Sequence, residues 1–425
     1  MKLKKPSHLA ALMAIGFGLC SVPALAADSE IEALKKELAE QRQMIEKLLA
    51  ERKAAPAATQ AVAAPATSAS GKPEVEIYGI LDTGIEMLTN AGTQGKTVTR
   101  VPQITATVPS RLGVRASKEF APGYSVLGTL EAGISLDDGN HQQSNRLFGR
   151  QAFVGLETPY GTVSVGRQYS MLLLGMAQSD MLGPNIYGTG SLDTYLPTAR
   201  YDNSIAWQHK VGSVRMGLAY SFGRDTSGGA PASGTCAGEH TNLSDTQSCR
   251  AWSGMVRYDA PKFGLSAAID QIRGGTGANA YFFNGSAPFA FTESSDKDTR
   301  YNVGGYAMLG KTRLGLGWLG RRADTKANDI SSDMYYVQAK VPVTDRITVD
   351  GGVHLMKNDD QNMDATLIAV RGFYNLYKGL DTYLQVGHIS NSDKARYQVS
   401  LGGGANAPAA GESQTGYMMG IRYIF

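Results

Sequence analysis

The feature that most constrains this chain is an alternation of period two that recurs throughout residues 74–425. In Ser213–Phe222, one face carries Val214, Met216, Leu218, Tyr220 and Phe222, and the other carries Arg215, Gly217, Ala219 and Ser221. Such alternation indicates β-strands with two different faces. A soluble β-sandwich also alternates, but its inner face is apolar and packed. Small, polar and charged residues opposite the apolar face are instead typical of a barrel with lipid outside and water inside.

The connections between strands support a closed barrel. We predict sixteen strands: 74–87, 111–119, 124–136, 147–156, 161–168, 200–209, 214–223, 250–259, 264–273, 299–309, 312–323, 331–341, 346–357, 364–376, 380–391 and 415–425. Tight turns such as 119–123 and 377–379 are separated by longer connections such as 169–199 and 224–249. Short turns at one end and long loops at the other are typical of a transmembrane β-barrel. Closure pairs every backbone group, which hydrocarbon requires.

The first 26 residues have the pattern of a secretory signal peptide. Lys2, Lys4 and Lys5 precede an apolar run over 9–19, and Ala24-Leu25-Ala26 fits a cleavage site. The whole chain has 41 basic and 38 acidic side chains, so removing three lysines leaves 38 of each. A neutral mature chain without a clustered basic footprint gives no indication of nucleic-acid binding.

Residues 27–53 are predicted to form a periplasmic coiled-coil helix. Its narrow apolar seam falls on a and d positions of a heptad and consists of Ile31, Leu34, Leu38, Ile45 and Leu48. So narrow a seam requires partner helices and predicts an oligomer; the alternative is a single solvated helix. Residues 54–73 are rich in Ala and Pro and are predicted to form a linker before the barrel of residues 74–425.

Two cysteines, Cys236 and Cys249, remain in the mature chain. An even number of cysteines in an exported protein predicts a disulfide, here within an external loop. The alternative is a pair of free thiols.

Four segments of the predicted barrel have a recognisable sequence: VEIYGILD at 75–82, SRLGVR at 110–115, LFGRQAFVGL at 147–156 and YGTVSVGRQY at 160–169. They resemble the trimeric general porins of Gram-negative bacteria, especially those of β-proteobacteria. The C-terminal Phe425 also fits, as the assembly signal of that family, and implies the barrel assembly machinery as a partner. The resemblance implies a homotrimer in the outer membrane, with the loop at about 169–199 folded into each pore.

The resemblance also implies a pore constriction in which arginines on the barrel wall face acids on the inserted loop. The matching residues are Arg111, Arg115, Arg150 and Arg167 on the wall and Asp180 and Asp193 on the loop. Arg167 shares its parity with Val163 and Val165, so it lies in the pore only if its strand bends. Alternation places Arg111 and Arg115 on one face of their strand, opposite Leu112 and Val114. Arg111, Arg115 and Arg150 form a cluster, whereas the acids are dispersed: Asp82 and Glu131 also point inward by parity, and Asp180 and Asp193 lie on the loop. We therefore predict a weak preference for anions.

We therefore predict a passive channel for ions and small hydrophilic solutes, with no cofactor and no enzymatic activity. His388 and Ser390 point the same way on one predicted strand but are expected about 7 Å apart. A catalytic site needs a nucleophile, a base and an orienting group that converge, and the sequence indicates no such arrangement. Two alternatives remain open: a channel specific for one class of solute, and a structural anchor whose helix tethers the membrane to the peptidoglycan of the cell wall. Single-channel conductance separates a channel from a plugged anchor.

Overall fold

The computed structural model describes residues 36, 43, 73–224, 244–280, 283–287, 289–326, 328–404 and 406–425. The chain divides into two compact units, 1–68 and 69–425, and the second contains the barrel. Lys36 and Gln43 are helical and exposed. The seam residues Ile31, Leu34, Leu38, Ile45 and Leu48 lie outside the described residues, as do the signal peptide and the linker. The coiled coil therefore stays a prediction.

The described part of the second unit is built almost entirely from antiparallel strands. They are β1 (Glu74–Ala91), β2 (Lys96–Arg100), β3 (Arg111–Ala121), β4 (Tyr124–Gly133), β5 (Gln151–Thr158), β6 (Gly161–Tyr169), β7 (Arg200–Val211), β8 (Val214–Ser221), β9 (Ala251–Asp259), β10 (Phe263–Arg273), β11 (Asn279–Ala280), β12 (Phe289–Ala290), β13 (Lys297–Leu309), β14 (Thr312–Asp324), β15 (Asp329–Pro342), β16 (Ile347–Lys357), β17 (Ala365–Tyr377), β18 (Leu380–Asn391) and β19 (Gln414–Ile424). One short α-helix, α1 (Met171–Met176), and the 3₁₀ turns Thr189–Ser191 and Leu196–Thr198 lie between β6 and β7.

Sixteen of these strands close into one barrel, which confirms the predicted fold class. Strand β1 pairs with β3 through its first half (Ile77 opposite Val114) and with β19 through its second half (Thr83 opposite Ile421). The remaining three are short: β2 extends the external end of β1, and β11 pairs with β12 in a loop. The sequence prediction missed these three because none carries a full alternating segment.

The C-terminal residue completes the closing seam. The Phe425 amide donates to the Gly79 carbonyl at 3.1 Å, and the Gly79 amide donates to the Phe425 carbonyl at 2.9 Å. Gly79 leaves room for the Phe425 ring, because a Cβ at this position would lie 2.3 Å from that ring and would displace it. The last side chain therefore packs into a space that the first strand leaves empty.

The two faces of the barrel have opposite chemistry. Outward positions carry apolar side chains that are more than half exposed, such as Val154, Leu218, Leu265, Val337 and Leu384. Inward positions carry buried polar groups such as Glu86, Asp270, Gln338 and Gln385. This is the arrangement of a barrel in lipid. No helix within the described residues is long and apolar enough to cross a membrane.

Long loops mark the external end of the barrel, and tight turns mark the other end. Strands β3 and β4 are joined by a turn at Gly123, whose φ of +76° only glycine adopts readily, and Gly310 (φ +61°) makes the equivalent turn between β13 and β14. Both ends of the barrel chain lie on the tight-turn side. The longest connection that the structure describes completely, residues 170–199, folds into the barrel and is called the inserted loop below.

Candidate functional site: the pore constriction

The inserted loop packs against one side of the barrel interior. Its helix α1 contacts β9 and β10, where the Met171 amide donates to Ser253 Oγ at 2.9 Å. Further along, Ser179 Oγ and the Tyr336 hydroxyl lie 2.8 Å apart, and Ser191 Oγ donates to the Val399 carbonyl at 2.6 Å. The inner surfaces of β10 and β13–β17 that hold the loop are called the anchoring wall.

Buried ion pairs fix the loop to the anchoring wall. Arg300 donates to Asp193 through Nε at 2.7 Å and through Nη2 at 3.2 Å. Asp298 lies between Arg300 and Arg321, at 3.2 and 2.8 Å, and the side chains of all four residues are at most 2% exposed. On β17, Arg371 binds Asp350 at 2.7 and 2.9 Å and also donates to the Met181 carbonyl at 3.2 Å.

The carboxylates of Asp180 and Asp193 take part in the contacts between the inserted loop and the anchoring wall. Asp180 accepts hydrogen bonds from the Gly183 amide at 3.0 Å, Thr189 Oγ1 at 2.7 Å and Gln338 Nε2 at 2.8 Å. Both acids are at most 5% exposed. The sequence analysis placed them opposite the wall arginines. The structure instead directs them to partners on the anchoring wall, because a buried carboxylate requires such donors.

Tyr195 of the inserted loop forms a further anchor. Its hydroxyl donates to Asp270 Oδ1 at 2.8 Å, and the Arg300 guanidinium lies 4.4 Å from its ring centroid. Burial raises the pKa of Tyr195 well above its usual value, and the Asp270 carboxylate adds to this effect. Tyr195 therefore remains a neutral donor at any physiological pH.

The opposite side of the pore, formed by β3–β7 and called the open wall, carries a cluster of three arginines. Arg150 donates through Nε to Glu131 at 2.6 Å and through Nη2 to the Tyr169 hydroxyl at 2.7 Å. The Arg200 guanidinium lies 4.7 Å from the Tyr169 ring centroid. Arg111 lies within electrostatic range of Arg150, Arg200 and Glu131.

Charge in this open-wall cluster is unbalanced. Glu131 accepts from Arg150 and, at 2.8 Å, from the Tyr78 hydroxyl, and it is the one carboxylate among the described residues that hydrogen-bonds to these arginines. Arg150 Nη1 and Arg200 Nε are buried and have no hydrogen-bond partner within the described part of the chain. Three positive charges against one negative charge leave a net charge of +2, with donors available to a passing anion.

Two cavities border this cluster. The external cavity has a volume of about 710 Å³ and is lined by Arg150 together with Pro184 and Pro197 of the inserted loop. The cavity on the tight-turn side has a volume of about 530 Å³ and is lined by Tyr169 with Gln151 and Gln168. The Arg150–Tyr169 hydrogen bond joins a residue of one cavity to a residue of the other, which makes this cluster the candidate constriction.

The other predicted wall arginines lie elsewhere. Arg115 is on the inner face but four residues, or about 13 Å, along β3 from Arg111. There it is half exposed, 3.4 Å from Glu76 and 4.0 Å from the Tyr78 ring centroid.

Arg167 lies on the outer face, level with Ala152 of β5 and on the same side as the exposed Val165. It donates to the Gly149 carbonyl at 2.7 Å and pairs with Asp202, as Arg146 also does at 2.8 Å. A register shift occurs between β6 and β7 beyond Gly166, but it does not turn Arg167 into the pore. A pore position for Arg167 required its strand to bend inward, and the strand does not do so.

Arg200 is a further candidate constriction residue that was not predicted from the sequence. It follows the inserted loop directly, and its Nη1 donates to the Pro197 carbonyl of that loop at 2.7 Å. The sequence contained an indication of this position, because an arginine at the start of the strand that follows the inserted loop must lie close to the base of that loop. Asp82, which parity placed inward, is buried and accepts from the Tyr383 hydroxyl at 2.6 Å.

Two other predicted features are placed only in part. Cys249 is disulfide-bonded, whereas Cys236 lies outside the described residues, so the pairing of the two stays a prediction.

His388 Nε2 lies 3.3 Å from Ser390 Oγ, closer than their backbone spacing of about 7 Å suggested, because both side chains lean together. On the outer face of the barrel, His388 Nδ1 lies 2.8 Å from Thr415 Oγ1. No carboxylate among the described residues lies there to orient the imidazole, as a catalytic triad would require.

Comparison with known proteins gives a consistent result. The family model of the Gram-negative porins matches residues 54–394. An outer membrane porin protein of Bordetella pertussis is 24% identical over 305 residues, covering 66% of this chain and 77% of that protein. Outer membrane porin protein 32 of Delftia acidovorans is 26% identical over 391 residues, covering 86% and 98%.

Solved structures show the same fold. The anion-selective porin from Comamonas acidovorans superimposes with a TM-score of 0.67 at 22% identity, covering 83% of this chain and 100% of that one. OmpT of Vibrio cholerae superimposes with a TM-score of 0.60 at 16% identity, covering 83% and 98%. At these identities the structures support the barrel architecture alone.

Proposed function

The chain belongs to the Gram-negative porin family and forms an outer-membrane channel for passive diffusion, and we propose that the open-wall arginines make this channel weakly anion-selective. The observation that carries the proposal is the position of Arg150. It lines the external cavity and donates a hydrogen bond to Tyr169 of the other cavity, and Arg111 and Arg200 accompany it with Glu131 as their shared acid. The Comamonas acidovorans structure with the same barrel architecture is that of an anion-selective porin, but the sign proposed here is argued from the arginines of this chain.

The burial of the loop acids strengthens this proposal. Carboxylates facing Arg150 across the gap would offset its field and attract cations. Asp180 and Asp193 instead face the anchoring wall, where Arg300 and Gln338 satisfy them. The inserted loop therefore narrows the pore without adding an exposed negative charge from these two residues.

The preference should be small. A unit charge about 7 Å from an ion in water changes its energy by about 0.6 kcal/mol, close to threefold in probability. Salt screens interactions beyond about 10 Å at 0.1 M, so selectivity should decline as the salt concentration rises.

Reversal potentials across a salt gradient test the proposal. The wild-type channel in a planar bilayer should show an anion-favouring potential, and Arg150→Glu should shift it toward cations, more strongly in dilute salt. Arg322→Glu, on the outer face of β14, is the matched control and should leave the potential unchanged. A wild-type potential of cation sign would contradict the proposal.

We also propose that the chain works as a homotrimer aligned by the N-terminal helix. Three associated barrels would hold their helices at high local concentration, which allows a short coiled coil to form. Deleting residues 28–70 should leave conducting pores whose trimer dissociates at a lower temperature on a non-reducing gel. Unchanged heat stability, or loss of all conductance, would contradict this role.

A further inference from the structure

A row of three cations lies on the lipid-facing side of the barrel at its external end. Arg250 immediately precedes β9, Arg273 ends β10 and Lys297 begins β13. The Arg273 amide donates to the Arg250 carbonyl at 2.9 Å, and Arg273 is directly opposite Lys297 in the strand register. The three residues therefore occupy neighbouring positions across three strands.

All three side chains point outward. Each shares the parity of exposed apolar residues on its own strand: Arg250 with Trp252 and Val256, Arg273 with Leu265, and Lys297 with Tyr301 and Val303. The inward neighbours Ala251, Ile272 and Asp298 are at most 2% exposed. The row is therefore outside the pore and separate from the constriction.

None of these three cations forms an ion pair within 4 Å among the described residues. Arg250 donates to the Thr246 carbonyl at 3.0 Å and Arg273 to the Ser294 carbonyl at 3.2 Å, but neither forms an ion pair within the described ranges. Asp324 is opposite Lys297 in register, yet the two form no ion pair within 4 Å. Like charges at directly opposed positions destabilise a sheet unless an anion lies between them.

The residues beneath the row place it at the level of the lipid headgroups. One step toward the membrane centre, Trp252 Nε1 donates to Gln271 Oε1 at 3.2 Å, and Gln271 Nε2 donates to Thr299 Oγ1 at 3.1 Å. Beyond that belt the outward positions become apolar, with Val256 and Val303 more than half exposed. Aromatic and polar residues between charge and hydrocarbon mark the interface of a transmembrane barrel.

We propose that Arg250, Arg273 and Lys297 bind the phosphate group of a phosphorylated lipid in the outer leaflet. Opposed positions on neighbouring strands are about 5 Å apart, so one phosphate can accept hydrogen bonds from two or three of these side chains. Arginine forms bidentate bonds with phosphate oxygens, and lysine adds a point charge. The lipid tails would then lie along Trp252 and the apolar surface below it.

Binding of diphosphoryl lipid A to the full-length protein tests this proposal. The protein is placed in phosphatidylcholine nanodiscs, and bound lipid is counted by native mass spectrometry across a range of lipid A concentrations. One cation near a charged membrane surface changes affinity about fivefold. The triple variant Arg250→Gln, Arg273→Gln, Lys297→Gln should therefore bind about 100-fold more weakly, whereas Lys297→Arg should bind like the wild type.

A matched control tests whether lipid A binds this row of cations specifically or any positive charge on the outer surface of the barrel. Lys357 is also outward-facing at the external end of its strand, but it pairs with Asp364 at 2.5 Å. Lys357→Gln should retain wild-type binding. In lipid-free detergent the triple variant should melt no lower than the wild type, because only like-charge repulsion is removed.

Three results would overturn the proposal. They are equal lipid A binding by the triple variant and the wild type, equal binding of fully dephosphorylated lipid A by the wild type, and displacement of bound lipid A by millimolar inorganic phosphate. The last result would indicate a free-anion site rather than a lipid site. Conductance is measured in parallel and should be the same in all variants.

Discussion

The two sides of the pore use the same residue type for opposite purposes. On the anchoring wall, Arg300, Arg321 and Arg371 each bind a buried aspartate. Arg300 holds the inserted loop through Asp193, and Arg371 holds it through the Met181 carbonyl. On the open wall, three arginines share Glu131. An arginine inside this barrel is therefore structural where its charge is matched and available for selectivity where it is not. Charge balance, rather than the presence of arginine, distinguishes the two.

Breaking the anchoring wall should have the largest effect. Asp193→Ala leaves Arg300 buried with Asp298 as a partner that Arg321 also uses. Removing one member of a buried ion pair costs about 3–5 kcal/mol. We expect a lower denaturation midpoint and, because the loop loses its anchor, noisier single-channel currents. Asp138→Ala, an exposed acid in another external loop, is the control. Quiet currents and an unchanged midpoint would show that the network does not hold the loop.

Removing Glu131, the acid of the open wall, should increase the anion selectivity of the pore. Glu131→Gln raises the local net charge from +2 to +3 and should increase the anion-to-cation permeability ratio by up to about sevenfold, because the added charge favours anions and disfavours cations by about 0.6 kcal/mol each. Arg150 keeps a hydrogen-bond acceptor in the amide oxygen that the substitution introduces, so the fold should tolerate the change. Glu76→Gln, an exposed inner-face acid near the tight-turn end, should have a much smaller effect. Equal ratios in the two variants would place Glu131 away from the ion path.

Substitution of Arg167 should have the smallest effect on the reversal potential. Its outward position beside Asp202 predicts that Arg167→Gln leaves the reversal potential unchanged, although the sequence resemblance assigned it to the constriction. A shift comparable to that of Arg150→Gln would place Arg167 in the pore and contradict the register of β6.

Sequence alone predicted the barrel because its signal is repeated sixteen times and depends only on alternation. The same alternation placed Arg111 and Arg115 on the inner face, and it raised the doubt about Arg167. Sequence could not predict the direction of Asp180 and Asp193. Whether a loop carboxylate faces the lumen or the wall depends on partners more than 100 residues away, such as Arg300 and Gln338.

Arg200 was missed for a related reason. The family pattern compared wall arginines with loop acids and ended at the loop, whereas Arg200 belongs to the strand that follows it. Its closeness to Arg150 arises from the stacking of both around Tyr169, which is a tertiary contact.

The most direct test of the central claim compares two sets of variants in one measurement. The triple variant Arg111→Gln, Arg150→Gln, Arg200→Gln removes the excess charge of the open wall. The double variant Asp350→Asn, Arg371→Gln removes one matched pair from the anchoring wall and leaves the net charge there unchanged. Reversal potentials are recorded across a salt gradient at about 0.1 M and about 1 M, where the Debye length falls from about 10 to 3 Å. We expect the open-wall variant to lose anion preference at both concentrations, with the matched-pair variant near the wild type. Retained anion preference in the open-wall variant would show that selectivity originates elsewhere in the pore.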